Sequence, residues 1–102
     1  MGNVKNSYLL FVNTVLNDSK QDLDVDLENL RTIIEEMIKV FSPRERDITR
    51  LSFGLDDGRL RTPEEVGELF EVPAEQVEQK LAKVLTELRK PEVHTPLKNI
   101  IK

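Results

Sequence analysis

Residues 41–72, FSPRERDITRLSFGLDDGRLRTPEEVGELFEV, decide the fold, because they contain two helix starts of the same design twenty residues apart. In the first, Ser42 is the N-cap, Pro43 takes the first helical position and Glu45 completes a capping box. The helix that follows turns Ile48, Leu51 and Phe53 inward, and Gly54 ends it in the left-handed conformation that glycine tolerates. Residues 55–59 are then a turn. Thr62-Pro63-Glu64-Glu65 repeats the capping logic and opens a short helix with Val66, Leu69 and Phe70 facing in and Gly67 leaving one side flat. From Pro73 a longer helix carries Val77, Leu81, Val84, Leu85 and Leu88 as one apolar stripe and stops near Lys90-Pro91. Two helices joined by three or four residues are a helix-turn-helix signature.

Outward from this stretch, Leu27, Leu30, Ile33, Ile34, Met37, Ile38 and Phe41 recur at helical spacing, so an amphipathic helix precedes it, capped by Asp26. Earlier still, Tyr8, Leu9, Leu10, Phe11, Val12, Val15 and Leu16 fit a short buried helix or a strand equally well. Covering the domain core is the simplest role for that segment, with residues 17–24 as its connecting loop. At the other end, Leu97, Ile100 and Ile101 read as a short helical turn, and His94 lies in a polar tail where exposure is expected. The chain therefore reads as an all-α protein, a small helical domain of four to five helices with a C-terminal helix-turn-helix. Residues 1–25 form an N-terminal extension and residues 26–102 the helix-turn-helix domain.

With 102 residues there is room for one modest core and one domain, which excludes a multidomain enzyme. Zero Cys and a single His remove thiolate zinc sites, disulfides, thiol nucleophiles and multi-histidine metal sites, so no metal and no cofactor is expected. No secretory leader and no apolar run of membrane-spanning length is visible, so a cytoplasmic protein without a membrane partner is expected. The adjacent carboxylates Glu64-Glu65 and Asp56-Asp57 read as a helix first turn and a solvated loop, and no nucleophile elbow accompanies them, so no enzymatic activity is expected. A net charge of −4 weighs against non-specific nucleic-acid binding. That charge is uneven: residues 1–41 hold 4 basic and 7 acidic side chains, residues 42–102 hold 11 and 12.

Ser42, Arg44, Glu45, Arg50, Leu51, Phe53, Gly54, Leu55, Asp56, Asp57, Gly58, Thr62, Glu64, Glu65, Val66 and Gly67 together resemble region 4 of the sigma-70 family of bacterial RNA polymerase sigma factors. The likeness runs from about Leu27 to the C-terminus and leaves residues 1–25 outside. It implies a transcription initiation or regulatory protein that reads the minus-thirty-five promoter element with the second helix of its helix-turn-helix. The earlier helices would dock on the flap of the polymerase beta subunit. Carried over position by position, the DNA contacts it implies are Arg44, Arg50, Thr62, Glu75, Gln76, Gln79, Lys83 and Arg89. The polymerase-facing residues it implies are Leu30, Ile34, Ile38, Phe41 and Phe53, which serve equally as core.

Departures from the family pattern fall on the recognition helix. Three arginines are replaced, at Ala74, Gln76 and Glu78; a basic pair becomes Thr86-Glu87, and an arginine between Leu51 and Phe53 becomes Ser52. Arginine is the side chain suited to guanine edges and phosphates, and Glu78 reverses the sign. A second reading is therefore a sigma region 4 mimic or co-regulator that binds RNA polymerase, a sigma factor or an anti-sigma factor without specific DNA contact.

Overall fold

The computed structural model describes residues 4–101, which fold into six helices with no strand among them. In chain order these are α1 (Val4–Leu16), α2 (Leu27–Ile38), α3 (Pro43–Phe53), α4 (Pro63–Phe70), α5 (Ala74–Leu88) and α6 (Pro91–Ile100). The protein is all-α, as its periodicity predicts. The count exceeds four to five because the undecided first segment is a helix and the C-terminal turn extends to ten residues. Proline does not stop α6: Pro96 and Glu92 are both exposed, where solvent satisfies the carbonyl that Pro96 cannot reach.

Local signals act as read. Asp26 accepts a hydrogen bond from the Glu28 amide at 3.0 Å and starts α2. Both capping boxes close reciprocally: the Ser42 hydroxyl accepts from the Glu45 amide at 3.2 Å while the Glu45 carboxylate accepts from the Ser42 amide at 3.1 Å. At Thr62 and Glu65 the same pair of bonds measures 3.1 and 3.0 Å. Gly54 ends α3 at φ +64, and a Cβ there would lie 2.7 Å from the Arg59 backbone. Only glycine fits both constraints.

Packing divides the apolar residues into two clusters. The larger joins Tyr8, Phe11, Val12 and Val15 of α1 to Leu30, Ile34 and Ile38 of α2, Phe53 and Leu55, Val84 and Leu88 of α5, and Leu97 of α6. Phe11 meets Phe53 edge to face, with ring centroids 5.2 Å apart. The smaller cluster, Ile48, Val66 and Val77, lies under the α4–α5 unit with Leu51, Phe70, Val72 and Leu81 around it.

Two side chains differ from expectation. Leu69 is 60% exposed rather than inward, because the eight-residue α4 buries Val66 and Gly67 and turns Leu69 away. His94 is half-buried in α6, with Nδ1 shielded and unpartnered, because the tail is helical and packs back beside Leu16 and Ile101.

Candidate functional site

The α4–α5 unit owes its tight turn to Gly67. A Cβ at that position would stand 2.6 Å from the Val72 carbonyl oxygen, well inside contact distance, so the chain reverses directly over it. The Val72 amide donates to the Gly67 carbonyl at 2.9 Å, and Glu71 adopts φ +57 to make the bend. Val77 is buried against Ile48 and Val66, which fixes the rotation of α5 and leaves Glu75, Gln76, Glu78, Gln79, Ala82, Lys83 and Thr86 exposed.

The eight residues with an implied DNA role are not gathered on one free surface. Glu75, Gln76 and Gln79 do share the outward side of α5. Arg44 is exposed with its guanidinium 4.3 Å from the Phe70 ring centroid, a cation–π stack that holds it beside α4. Thr62 has its hydroxyl committed to the α4 cap. Arg50 turns to α2 instead, donating to both Glu35 carboxylate oxygens, 3.1 Å on the Nε side, and to Asp47 at 3.2 Å. Lys83 reaches across to the Glu45 carboxylate at 3.2 Å, and Arg89 donates to the Thr14 carbonyl of α1 at 3.1 and 3.2 Å. Three of the four basic candidates therefore already have oxygen partners within the chain.

Titration follows the same geometry. The Arg50 hydrogen bond holds the Glu35 carboxyl below the usual carboxylate range. The Ser42 amide does most to hold Glu45 down, with Lys83 adding to it. Arg61 does the same for Asp57, and the Thr62 amide for Glu65, which also pairs with Arg59 at 3.1 Å. The Arg59–Glu65 link from the turn to the start of α4 has no signature in sequence, because the two residues meet only when the turn folds over.

Leu30, Ile34, Ile38, Phe41 and Phe53, the implied polymerase-facing set, are all buried in the larger cluster and present no side chain to a partner in this arrangement. Phe11 of α1 covers Phe53 edge to face, and α6 packs along α2, so the set lies inside the cluster rather than on its surface. Exposed apolar surface lies elsewhere: Val40, 79% exposed, Pro96 and the part-exposed Ile33 and Val93 line an open groove between α2 and α6, with the buried Met37 at its floor. The groove has no signature in sequence, because Val93 and Pro96 reach it only once the polar tail around His94 forms α6. Among the described residues, no group of three or more His, Cys, Asp or Glu side chains is arranged to hold a metal ion. Among the described residues no helix is long and apolar enough to cross a membrane.

A short helix, a tight turn over a buried glycine and a longer helix with one outward face define the helix-turn-helix class of domain. The sequence profile of the family described as Sigma-70, region 4 matches residues 37–90, more than half of the chain, and the chain belongs to that family. Among curated relatives it is 48% identical over 73 residues to RNA polymerase sigma factor SigA1 of Synechococcus elongatus, which covers 72% of this chain and 18% of the relative. Over 87 residues it is 40% identical to RNA polymerase sigma factor SigA of Clostridium acetobutylicum, 82% of this chain and 23% of the relative. SigA of Listeria monocytogenes is 43% identical over 74 residues, 72% of this chain and 20% of the relative. The chain spans about a fifth of the length of these relatives.

Proposed function

We propose that this chain works in transcription initiation as a sigma region 4 module, docking on RNA polymerase, at the beta-subunit flap, and setting α5 against promoter DNA. The observation that carries this reading is the α4–α5 unit itself, with its turn closed over Gly67 and the outward side of α5 left open. Arg44, held over Phe70, supplies a phosphate contact in this reading, and Glu75, Gln76 and Gln79 face the groove. It is a non-catalytic role, exercised in the bacterial cytoplasm where polymerase is found.

A second reading is favoured by one specific observation: Lys83, a cation on the outward side of α5, is paired with Glu45, while Glu75 and Glu78 on the same helix have no ion-pair partner among the described residues. Under that reading the module keeps polymerase, or a sigma or anti-sigma factor, as its partner and makes no specific DNA contact. A gel-shift titration with minus-thirty-five DNA at two salt concentrations separates the two. Sequence preference with a steep salt dependence supports promoter reading; absence of binding at micromolar protein, with retained capture of the beta flap, supports the second.

A further inference from the structure

Like α6 and most of α2, the first helix lies outside residues 37–90, the span matched by the family profile, and it joins the body through the loop at residues 17–26. Yet its apolar face is among the most buried surfaces of the protein: Phe11 and Val12 are fully enclosed, and Tyr8 and Val15 nearly so. These four residues fall at i, i+3, i+4 and i+7, the spacing with which an amphipathic helix anchors in a groove. Phe11 meets Phe53 of α3 edge to face, and the four share one buried cluster with Leu55 of the following turn, Leu88 of α5 and Leu97 of α6. Take α1 away and the side chains it covers are left as an apolar trough that another amphipathic helix can bury.

A thirteen-residue helix is marginal in water by itself, so α1 is helical because the trough holds it. Its loop is tied back to α1 by local bonds, the Asn13 side chain bridging the Lys20 amide and carbonyl at 3.0 Å each. Across to α5 it is held by Arg89 on the Thr14 carbonyl, a contact at the exposed surface. Apolar burial therefore supplies most of the grip, and another helix with the same apolar pattern offers the trough the same burial.

From this arrangement we infer that α1 is a resident occupant of a helix-binding groove, displaced when a partner presents an amphipathic helix with large apolar side chains at the spacing of Tyr8, Phe11, Val12 and Val15. The inference rests on the polymerase-docking reading only for the partner's identity: Phe53, one of the implied polymerase-facing residues, is the residue on which Phe11 sits. Docking then exchanges one helix for another and leaves the rest of the core in place, which accounts for the burial of Phe53 in the free protein.

Two measurements on the full chain test it. Native-state hydrogen exchange should show the α1 amides opening together at least about tenfold faster than those of α3 and α5. A shared rate for all three makes α1 an integral part of the fold and overturns the inference. In the second, a fluorescein-labelled peptide of residues 4–16 is titrated into wild type, Phe11→Ala and the milder Val12→Ala. Weakening the tethered helix should tighten capture of the peptide on the order of tenfold or more, because a larger fraction of the groove is open. Equal affinity in a folded variant overturns the inference. Repeating the titration with the polymerase beta flap separates the two claims. Peptide gain without flap binding sinks the polymerase reading and leaves the groove, whereas equal flap binding by wild type and Val12→Ala keeps the docking and sinks the exchange.

Discussion

Lys83 on the outward side of α5 donates to the carboxylate of Glu45 at 3.2 Å, and Glu45 is the same residue that closes the capping box of α3. One carboxylate thus stabilises a helix start and neutralises a cation that a promoter reader would turn to phosphate. Glu45→Ala should lose about 1–2 kcal/mol from the open cap, measured by thermal or urea unfolding. Lys83→Ala should cost less than about 1 kcal/mol, because its side chain is 66% exposed. It should also shift the salt slope of any DNA binding by less than the roughly one unit expected for a free phosphate contact. A full unit lost in Lys83→Ala would show that the pair opens on DNA.

Restoring charge to the recognition helix is a direct test of what its divergence removed. Gln76→Arg with Glu78→Arg should tighten binding to minus-thirty-five DNA at least about tenfold at moderate salt and steepen the salt slope by about one to two units. Both positions are exposed, so the melting temperature should barely move. Unchanged binding in a stable double variant would mean that α5 does not face DNA.

Gly67→Ala places a methyl 2.6 Å from the Val72 carbonyl oxygen, a backbone atom that cannot swing aside as the end of a side chain would. The variant should lose about 1–3 kcal/mol in chemical unfolding, since the turn must open to admit it.

Glu71 bears a side chain at φ +57, at the C-cap of α4. Glu71→Gly relieves that strain at an exposed position and should raise stability by about 0.5–1 kcal/mol in urea unfolding. A loss of stability would show that the carboxylate contributes more than the backbone conformation costs.

Acid should weaken the fold in a definite window. Glu35, Glu45, Asp57 and Glu65 all have carboxyls held below their ordinary range by hydrogen bonds. A depressed carboxyl adds stability above its unfolded pKa, and that contribution is lost as pH falls through the folded value. The melting temperature should therefore hold steady from pH 7 to 8 and drop progressively below about pH 4.5. Glu35→Gln should lower it at neutral pH and make the acid decline shallower, since Arg50 then has lost its charged partner on α2.

Local signals carried most of the secondary structure. Ser42, Thr62 and Asp26 cap because their side chains meet amides two or three residues away, and Gly54 and Gly67 act through their own backbone and the next few residues, all distances that sequence spacing encodes. The resemblance to region 4 rested on the same stretch. Tertiary structure alone decided the rest. Whether Tyr8 to Leu16 is helix or strand depended on the core it joins, with Phe53, Leu55, Leu88 and Leu97, which are far from it in the chain. The fate of the arginines and lysines was equally non-local: a cation's availability to DNA depends on which carboxylate or carbonyl folding brings within about 3 Å, and Glu35, Glu45 and Thr14 are 15, 38 and 75 residues from Arg50, Lys83 and Arg89.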